Sequence, residues 1–227
     1  MTAEWPETIY GVLSWWDYSY WVTYIAHRIP VVNPAQDPGM IGKVAGFLLA
    51  QDETSADTIA ESLSADYIII DAQMATSKFW AIASWAGKSQ SDYFEVFWNP
   101  KTQQQRLYFY PEYYRSMNTR LYAFDGKAQA GTGTVVVAYT WKTTNTGKYK
   151  EIVSERQFPT YAEAQAYQSQ VYAGDNANVI IVGYDPLICP IPLEALTKYE
   201  TVYTSEEQTP VTNNSRTATV KIFRRGK

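Results

Sequence analysis

The segment Trp15-Trp16-Asp17-Tyr18 is the best equipped for chemistry in this sequence. Two adjacent indoles supply N–H donors and the next residue supplies a carboxylate acceptor. Such a set holds a small hydroxyl by donating to it and accepting from it at once. The same residues also fit a purely structural role, a buried Trp pair with Asp17 capping a helix. A second set lies downstream, where Asp71, Met74, Lys78 and Ile82 stand at i, i+3, i+7 and i+11, the spacing of one helical stripe. An acid, a thioether, a base and an apolar residue make an unusual core stripe. The plainer alternative packs Met74 and Ile82 inward, with Asp71 as a cap and Lys78 running its stem along the surface.

Composition removes several other chemistries. The single cysteine, Cys189, excludes an internal disulfide framework and a cysteine-based zinc cluster, and the single histidine, His27, excludes a His-rich metal site. No Ser-His-Asp set can be built from His27 alone, which reads as a structural or surface residue. Gly131-Thr132-Gly133 lacks the remainder of a phosphate-binding loop. A net charge of −4 provides no basic field for nucleic acid. Asp52, Glu53, Asp57, Glu61, Asp66 and Asp71 form an acidic stretch, while Arg216, Lys221, Arg224, Arg225 and Lys227 make the end basic; each reads as a solvated face. With 46% hydrophobic and 19% charged residues the chain reads as folded and globular. Its 19 Tyr and 8 Trp exceed ordinary usage, which fits grooves or membrane headgroups as well as an aromatic-rich core.

The elements that must position these residues are legible in outline. Ile41 begins a helical stretch reaching residue 49, and Ser55 is placed to cap a following helical turn. Tyr67-Ile68-Ile69-Ile70 is a continuous apolar run typical of a buried strand. Residues 72–86 read as one helix, so Asp71 falls at a strand end and a helix start, where open α/β folds keep functional groups. A helix is expected over 112–121, with Pro111 in its first turn. After the small-residue break at 126–133, residues 135–141 and 150–156 read as a strand pair around Asn145-Thr146-Gly147. A helix over 161–171, a strand over 179–182, a short helix after Pro192, and strands over 199–204 and 218–223 complete the pattern. The expected fold class is mixed α+β: a helix-rich core with a buried strand near the motif helix, then a β-rich C-terminal part. One domain over 1–227 is expected, with a soft boundary at 126–133 between a motif-bearing part (1–125) and a strand-rich part (134–227).

Trp15-Trp16-Asp17-Tyr18, continued by Tyr20-Trp21 and by Ile25-Ala26-His27-Arg28-Ile29-Pro30-Val31-Val32-Asn33-Pro34, resembles the Trp-Trp-Asp-Tyr-Gly signature of archaeal oligosaccharyltransferase catalytic subunits and the residues that follow it. Ser19 stands where that family has Gly. Asp71-Ala72-Gln73-Met74 with Lys78 and Ile82 resembles the family's second motif, in its Asp/Lys variant, on a helix facing the first. Tyr113-Tyr114-Arg115-Ser116-Met117, Gly183-Tyr184-Asp185-Pro186 and Val220-Lys221-Ile222-Phe223 extend the likeness over nearly the whole chain.

The resemblance implies the globular C-terminal domain of an enzyme that transfers a lipid-linked oligosaccharide to Asn in Asn-X-Ser/Thr. It implies that Trp15, Trp16, Asp17 and Tyr18, with Asp71, Met74, Lys78 and Ile82, bind the acceptor peptide. It places no catalytic residue and no cofactor in this chain; a divalent metal, Mn or Mg, is expected in the enzyme's transmembrane domain. The implied partners are that domain, the peptide and the lipid-linked donor, and the implied location is the extracellular face of the cell membrane. No stretch approaches the roughly 20 apolar residues that span a bilayer, nothing resembles a signal peptide, and the start reads as a domain boundary. Asn213-Asn214-Ser215 is itself a sequon in a polar loop. A free-standing aromatic-lined carbohydrate- or peptide-binding module is the other class that fits these residues.

Overall fold

The apolar run at residues 68–70 lies at the centre of a five-stranded sheet, as its β-branched composition requires of a strand covered on both faces. The computed structural model describes residues 10–33, 35, 37–145, 147–171, 178–211 and 216–226. They fall into two units, one from residues 1–89, 116–126 and 196–227, the other from 90–115 and 127–195.

The first unit opens with β1 (Gly11–Leu13), a 3-10 turn (Trp16–Tyr18) and α1 (Ser19–Tyr24). It continues through β2 (Ile29–Pro30), α2 (Pro38–Leu49), α3 (Glu53–Ser62), β3 (Ala65–Asp71), α4 (Ala72–Ala75) and α5 (Phe79–Trp85). β1 pairs in parallel with both β2 and β3; β3 pairs antiparallel with Val220–Arg225, which in turn pairs antiparallel with Tyr199–Thr204. Gly11 sits where β1 meets the entry to β3: its N–H donates to Ser64 O, and a Cβ there would lie 2.7 Å from that oxygen. α2 packs against α3, α5 and the helix Met117–Phe124 through buried Ile41, Val44, Phe47 and Leu48. Asp57 on α3 is 7% exposed and takes hydrogen bonds of 2.5 Å from both Lys198 and Arg225, tying the helix to the last strands of the sheet.

Three local expectations change. The cap of α3 is Asp52, whose carboxylate accepts from Ser55 N (2.8 Å) and the Ser55 hydroxyl (2.8 Å), so Ser55 is the capped residue. Residues 72–86 form two helices, because the Thr76 hydroxyl donates back to Ala72 O (2.6 Å) and Lys78 N takes Gln73 O (2.7 Å), which interrupts the helical ladder. The helix expected over 112–121 is likewise divided into Pro111–Arg115 and Met117–Phe124, with Ser116 capping the second through Thr119 N.

The second unit is a mixed sheet in the order Gln104–Phe109, Phe94–Asn99, Gly147–Thr160, Thr132–Thr144, Asn178–Val182. The hairpin from Thr132–Thr144 to Gly147–Thr160 is longer than its apolar runs predict, because pairing continues into the polar ends. Phe97, Tyr108, Val137, Tyr139 and Ile152 form one core cluster, and Val136, Phe158 and Ile181 another with Ala164 of the helix Tyr161–Gln170. Lys150 is buried here, paired with Glu95 (2.5 Å) and Tyr110 (2.7 Å) and ringed by Phe97, Tyr139 and Trp141 at 5.1–5.2 Å. Much of the aromatic excess is therefore core. The short helix expected after Pro192 is absent; Pro192–Leu193 is instead a strand paired with Gln129–Ala130.

Two outcomes follow. Gly11→Ala is expected to destabilise by about 1–3 kcal/mol through overpacking against backbone, read by chemical denaturation. Burial pushes the Asp57 carboxyl up, but the hydrogen bonds and charges of Arg225 and Lys198 outweigh this and hold it below the ordinary carboxylate range. A depressed native pKa contributes stability above about pH 4 that is lost as pH falls through the native value. Asp57→Asn is therefore expected to lower the melting midpoint at pH 7 and to flatten its decline below about pH 4, read by thermal scans across pH.

Candidate functional site

β3 ends at Asp71 in extended backbone, and the chain turns at once into α4. With its carboxylate at this corner, Asp71 Oδ1 accepts from Met74 N at 2.6 Å and caps the helix. Oδ2 accepts from the Tyr18 hydroxyl at 2.9 Å, and the Lys78 ammonium lies 3.7 Å from the same oxygen. Asp71 is 4% exposed, so these donors replace the water it has lost. Tyr18 comes from the 3-10 turn between β1 and α1, whose first hydrogen bond runs from Tyr18 N to Trp15 O at 3.1 Å. Burial pushes the Tyr18 phenol well above its ordinary range, and the Asp71 charge and hydrogen bond, with the Asp17 charge, push it further. Tyr18 is thus a fixed donor throughout the physiological range.

The Lys78 ammonium also donates to Asp17 Oδ2, joining the turn to the loop between α4 and α5. Asp17 and Lys78 are only partly covered, so the pair is worth about a surface bridge in stability, 0.2–1 kcal/mol. What it fixes is direction. With Oδ2 engaged, the other oxygen, Oδ1, is buried and has no hydrogen-bond partner among the described residues. Asp17, Tyr18, Asp71 and Lys78 line a cavity of about 470 Å³, together with Trp21, Ala72, Gln73, Thr209 and Thr219.

The structure therefore brings Asp17, Tyr18, Asp71 and Lys78 together. It does not bring the other four into the cavity wall. Trp15 is 3% exposed and belongs to the core, and Trp16 is half-buried beside it in sequence but outside the wall. Met74 and Ile82 are both fully buried. Of the wall residues not singled out beforehand, Trp21 continues the aromatic segment, whereas Thr209 and Thr219 carry no sequence signal and arrive through sheet pairing. Ser19 has φ −59° and ψ −35°, ordinary helical backbone, so this position makes no demand for Gly. Its side chain is buried and its hydroxyl has no hydrogen-bond partner among the described residues. His27 is exposed, and the sequon at residues 213–215 lies outside the described residues. Among the described residues no cluster of His, Cys, Asp and Glu is arranged to hold a metal, and no helix is long and apolar enough to cross a membrane.

Residues 1–75 match the AglB core domain family. Dolichyl-phosphooligosaccharide-protein glycotransferase 3 of Archaeoglobus fulgidus is 39% identical over 89 residues, covering 37% of this chain and 10% of that protein. Dolichyl-monophosphooligosaccharide-protein glycotransferase AglB of Haloferax volcanii is 33% identical over 152 residues, 59% of this chain and 14% of that protein. Its relatives are archaeal oligosaccharyltransferases. The AglB structure from Archaeoglobus fulgidus in complex with an inhibitory peptide and a dolichol-phosphate shares the fold, with a TM-score of 0.50 and 21% identity, over 98% of this chain and 28% of that one. The AglB-like chain thus spans only 10–14% of the length of these curated relatives. The match over residues 1–75 takes in the 3-10 turn and β3 through α4, which carry Asp17, Tyr18 and Asp71.

Ser19 gives this AglB-like core a local test. Removing a buried hydroxyl that lacks a partner, without changing helical backbone, is expected to stabilise the fold. Ser19→Ala should raise stability by about 1 kcal/mol, measured as a shift in the denaturation midpoint at unchanged slope.

Proposed function

We propose that this chain is the acceptor-reading domain of a membrane oligosaccharyltransferase, which transfers a lipid-linked oligosaccharide to the Asn of Asn-X-Ser/Thr. The observation that carries the reading is Asp17. This cavity-lining residue has one carboxylate oxygen tied to Lys78, and the other is buried without a hydrogen-bond partner among the described residues. A carboxylate in that state is satisfied by a neutral donor such as the hydroxyl of Ser or Thr. The family match and the glycotransferase relatives support the same reading, as does the peptide found bound to an archaeal AglB of this fold.

In this reading the chain binds and orients. Asp17 accepts a hydrogen bond from the sequon hydroxyl, and Lys78, itself paired with Asp71, holds Asp17 in place. Tyr18 fixes Asp71, and Trp15, Met74 and Ile82 act from the core by holding the turn and the two short helices. An acceptor without the hydroxyl leaves Asp17 unpaired, at about 1–3 kcal/mol, so selectivity arises largely by rejection. The glycan transfer itself, its divalent metal and the carboxylates that engage the acceptor amide belong to the transmembrane part of the enzyme. The domain faces the outside of the cell, where the acceptor chain emerges.

In the full-length enzyme, Asp17→Ala is expected to lower kcat/KM for a fluorescent sequon peptide by about 10- to 100-fold, the equivalent of losing a hydrogen bond to a charged acceptor, about 1.5–3 kcal/mol. Glycopeptide formation is read by mobility shift. Transfer by the variant at near wild-type efficiency overturns the assignment.

A further inference from the structure

Breaking the helix after α4 leaves one buried carbonyl to be accounted for. In a continuous α-helix Met74 O would accept from Lys78 N, four residues further on. Lys78 N instead donates to Gln73 O at 2.7 Å, and Phe79 N donates to Thr76 O at 3.2 Å, so the ladder passes Met74 by. Met74 is fully buried, and a carbonyl left there without a donor is costly.

A donor comes from a distant part of the chain. Asn118, the second residue of the helix Met117–Phe124, gives a side-chain N–H to Met74 O at 2.6 Å. A carbonyl only accepts, so this contact fixes which way the amide points. The helix that carries Asn118 is itself held at its start. Met117 N donates to Ala50 O, just past α2, at 3.0 Å, and Ser116 Oγ accepts from Thr119 N at 3.3 Å. Asn118 is fully buried, and its Oδ1 has no hydrogen-bond partner among the described residues. For packing alone an apolar side chain of similar size would serve better, because a half-satisfied buried amide is destabilising. What the amide does, and Leu could not, is occupy Met74 O.

We infer that Asn118 is a positioning residue, which keeps the joint between α4 and α5 open and so holds the Lys78 ammonium against Asp17 and Asp71. It does this by giving Met74 O the hydrogen bond that Lys78 N would otherwise supply. Without that donor, Met74 O draws Lys78 N back into a helical ladder, and the ammonium leaves Asp17 Oδ2. The inference rests on the proposed function and adds to it a residue outside the cavity wall and outside the family match over residues 1–75.

The test is a double-mutant cycle on the full-length enzyme. Asn118→Leu removes the donor and the idle acceptor at similar volume, whereas Asn118→Ala removes them and leaves a cavity. KM and kcat for a fluorescent sequon peptide, and the thermal midpoint, are measured for each variant alone and combined with Lys78→Met. Either Asn118 variant is expected to raise KM about 2- to 10-fold at nearly unchanged kcat, and neither to raise it further in the Lys78→Met background. The midpoint should fall more with Asn118→Ala than with Asn118→Leu, so a role in packing alone predicts a KM that follows the midpoint. A wild-type KM in Asn118→Leu or in Lys78→Met, or the same added loss in both backgrounds, overturns the inference. Failure of the proposed function is a separate outcome, in which Asp17→Ala itself uses the peptide normally.

Discussion

The buried carboxylate of Asp71 is the constraint on which the site depends. Removing an ionised carboxylate from water is costly unless hydrogen bonds replace the lost hydration. At Asp71 they come from two separate stretches of chain, Met74 N within α4 and the Tyr18 hydroxyl from the 3-10 turn, and the ammonium of Lys78, 3.7 Å away, adds its charge. α4 has only four residues, too short to hold itself by its own ladder, and the cap is a large part of what holds it. One side chain therefore closes the strand, starts the helix and anchors the turn that bears Asp17.

The position of Asp71 is in turn dictated by the sheet. Val220 pairs with Asp71 and Ile222 with Ile69, so the register of Val220–Arg225 sets where β3 ends. The same register puts Thr219 beside the corner. Two carboxylates and one ammonium then meet at the cavity edge, with the lysine shared between them. A shared cation adds little to stability at this exposure, but it removes one oxygen of Asp17 from competition and directs the other.

How much of this was legible in the sequence follows the range of the forces involved. The strand at residues 67–70 announced itself by β-branched composition, and Asp71 by its place between strand and helix. Asp17 and Lys78, distant in the chain, were marked by chemistry and by family likeness, and the structure joins them. Where the indoles sit is not legible in sequence, because a Trp beside a functional acid looks the same whether it faces a ligand or a core; Trp15 is buried and Trp16 half-buried. Thr209 and Thr219 gave no signal at all: Thr209 comes in through its pairing with Thr217, and Thr219 beside the long-range pairing of Val220 with Asp71. The two units, each assembled from separated segments, likewise follow from long-range pairing and leave little trace in local composition.

The interruption of the helix at residues 76–78 is what makes Lys78 available. In one continuous α-helix, Lys78 would stand about 40° of arc from Met74 and the same from Ile82. Both of those side chains are fully buried, so the ammonium would be aimed into the core between them. A lone buried ammonium is untenable, and the helix would have to turn its stripe outward and expose two apolar residues. Thr76 resolves the conflict by bonding back to Ala72 O, while Lys78 N reaches Gln73 O. The chain then leaves helical geometry at Thr76, α5 restarts with Phe79 and Ile82 inward, and Lys78 is released toward Asp17 and Asp71. A stripe that looked too mixed for one helix face was mixed because it belongs to two helices, with its charged member at the joint.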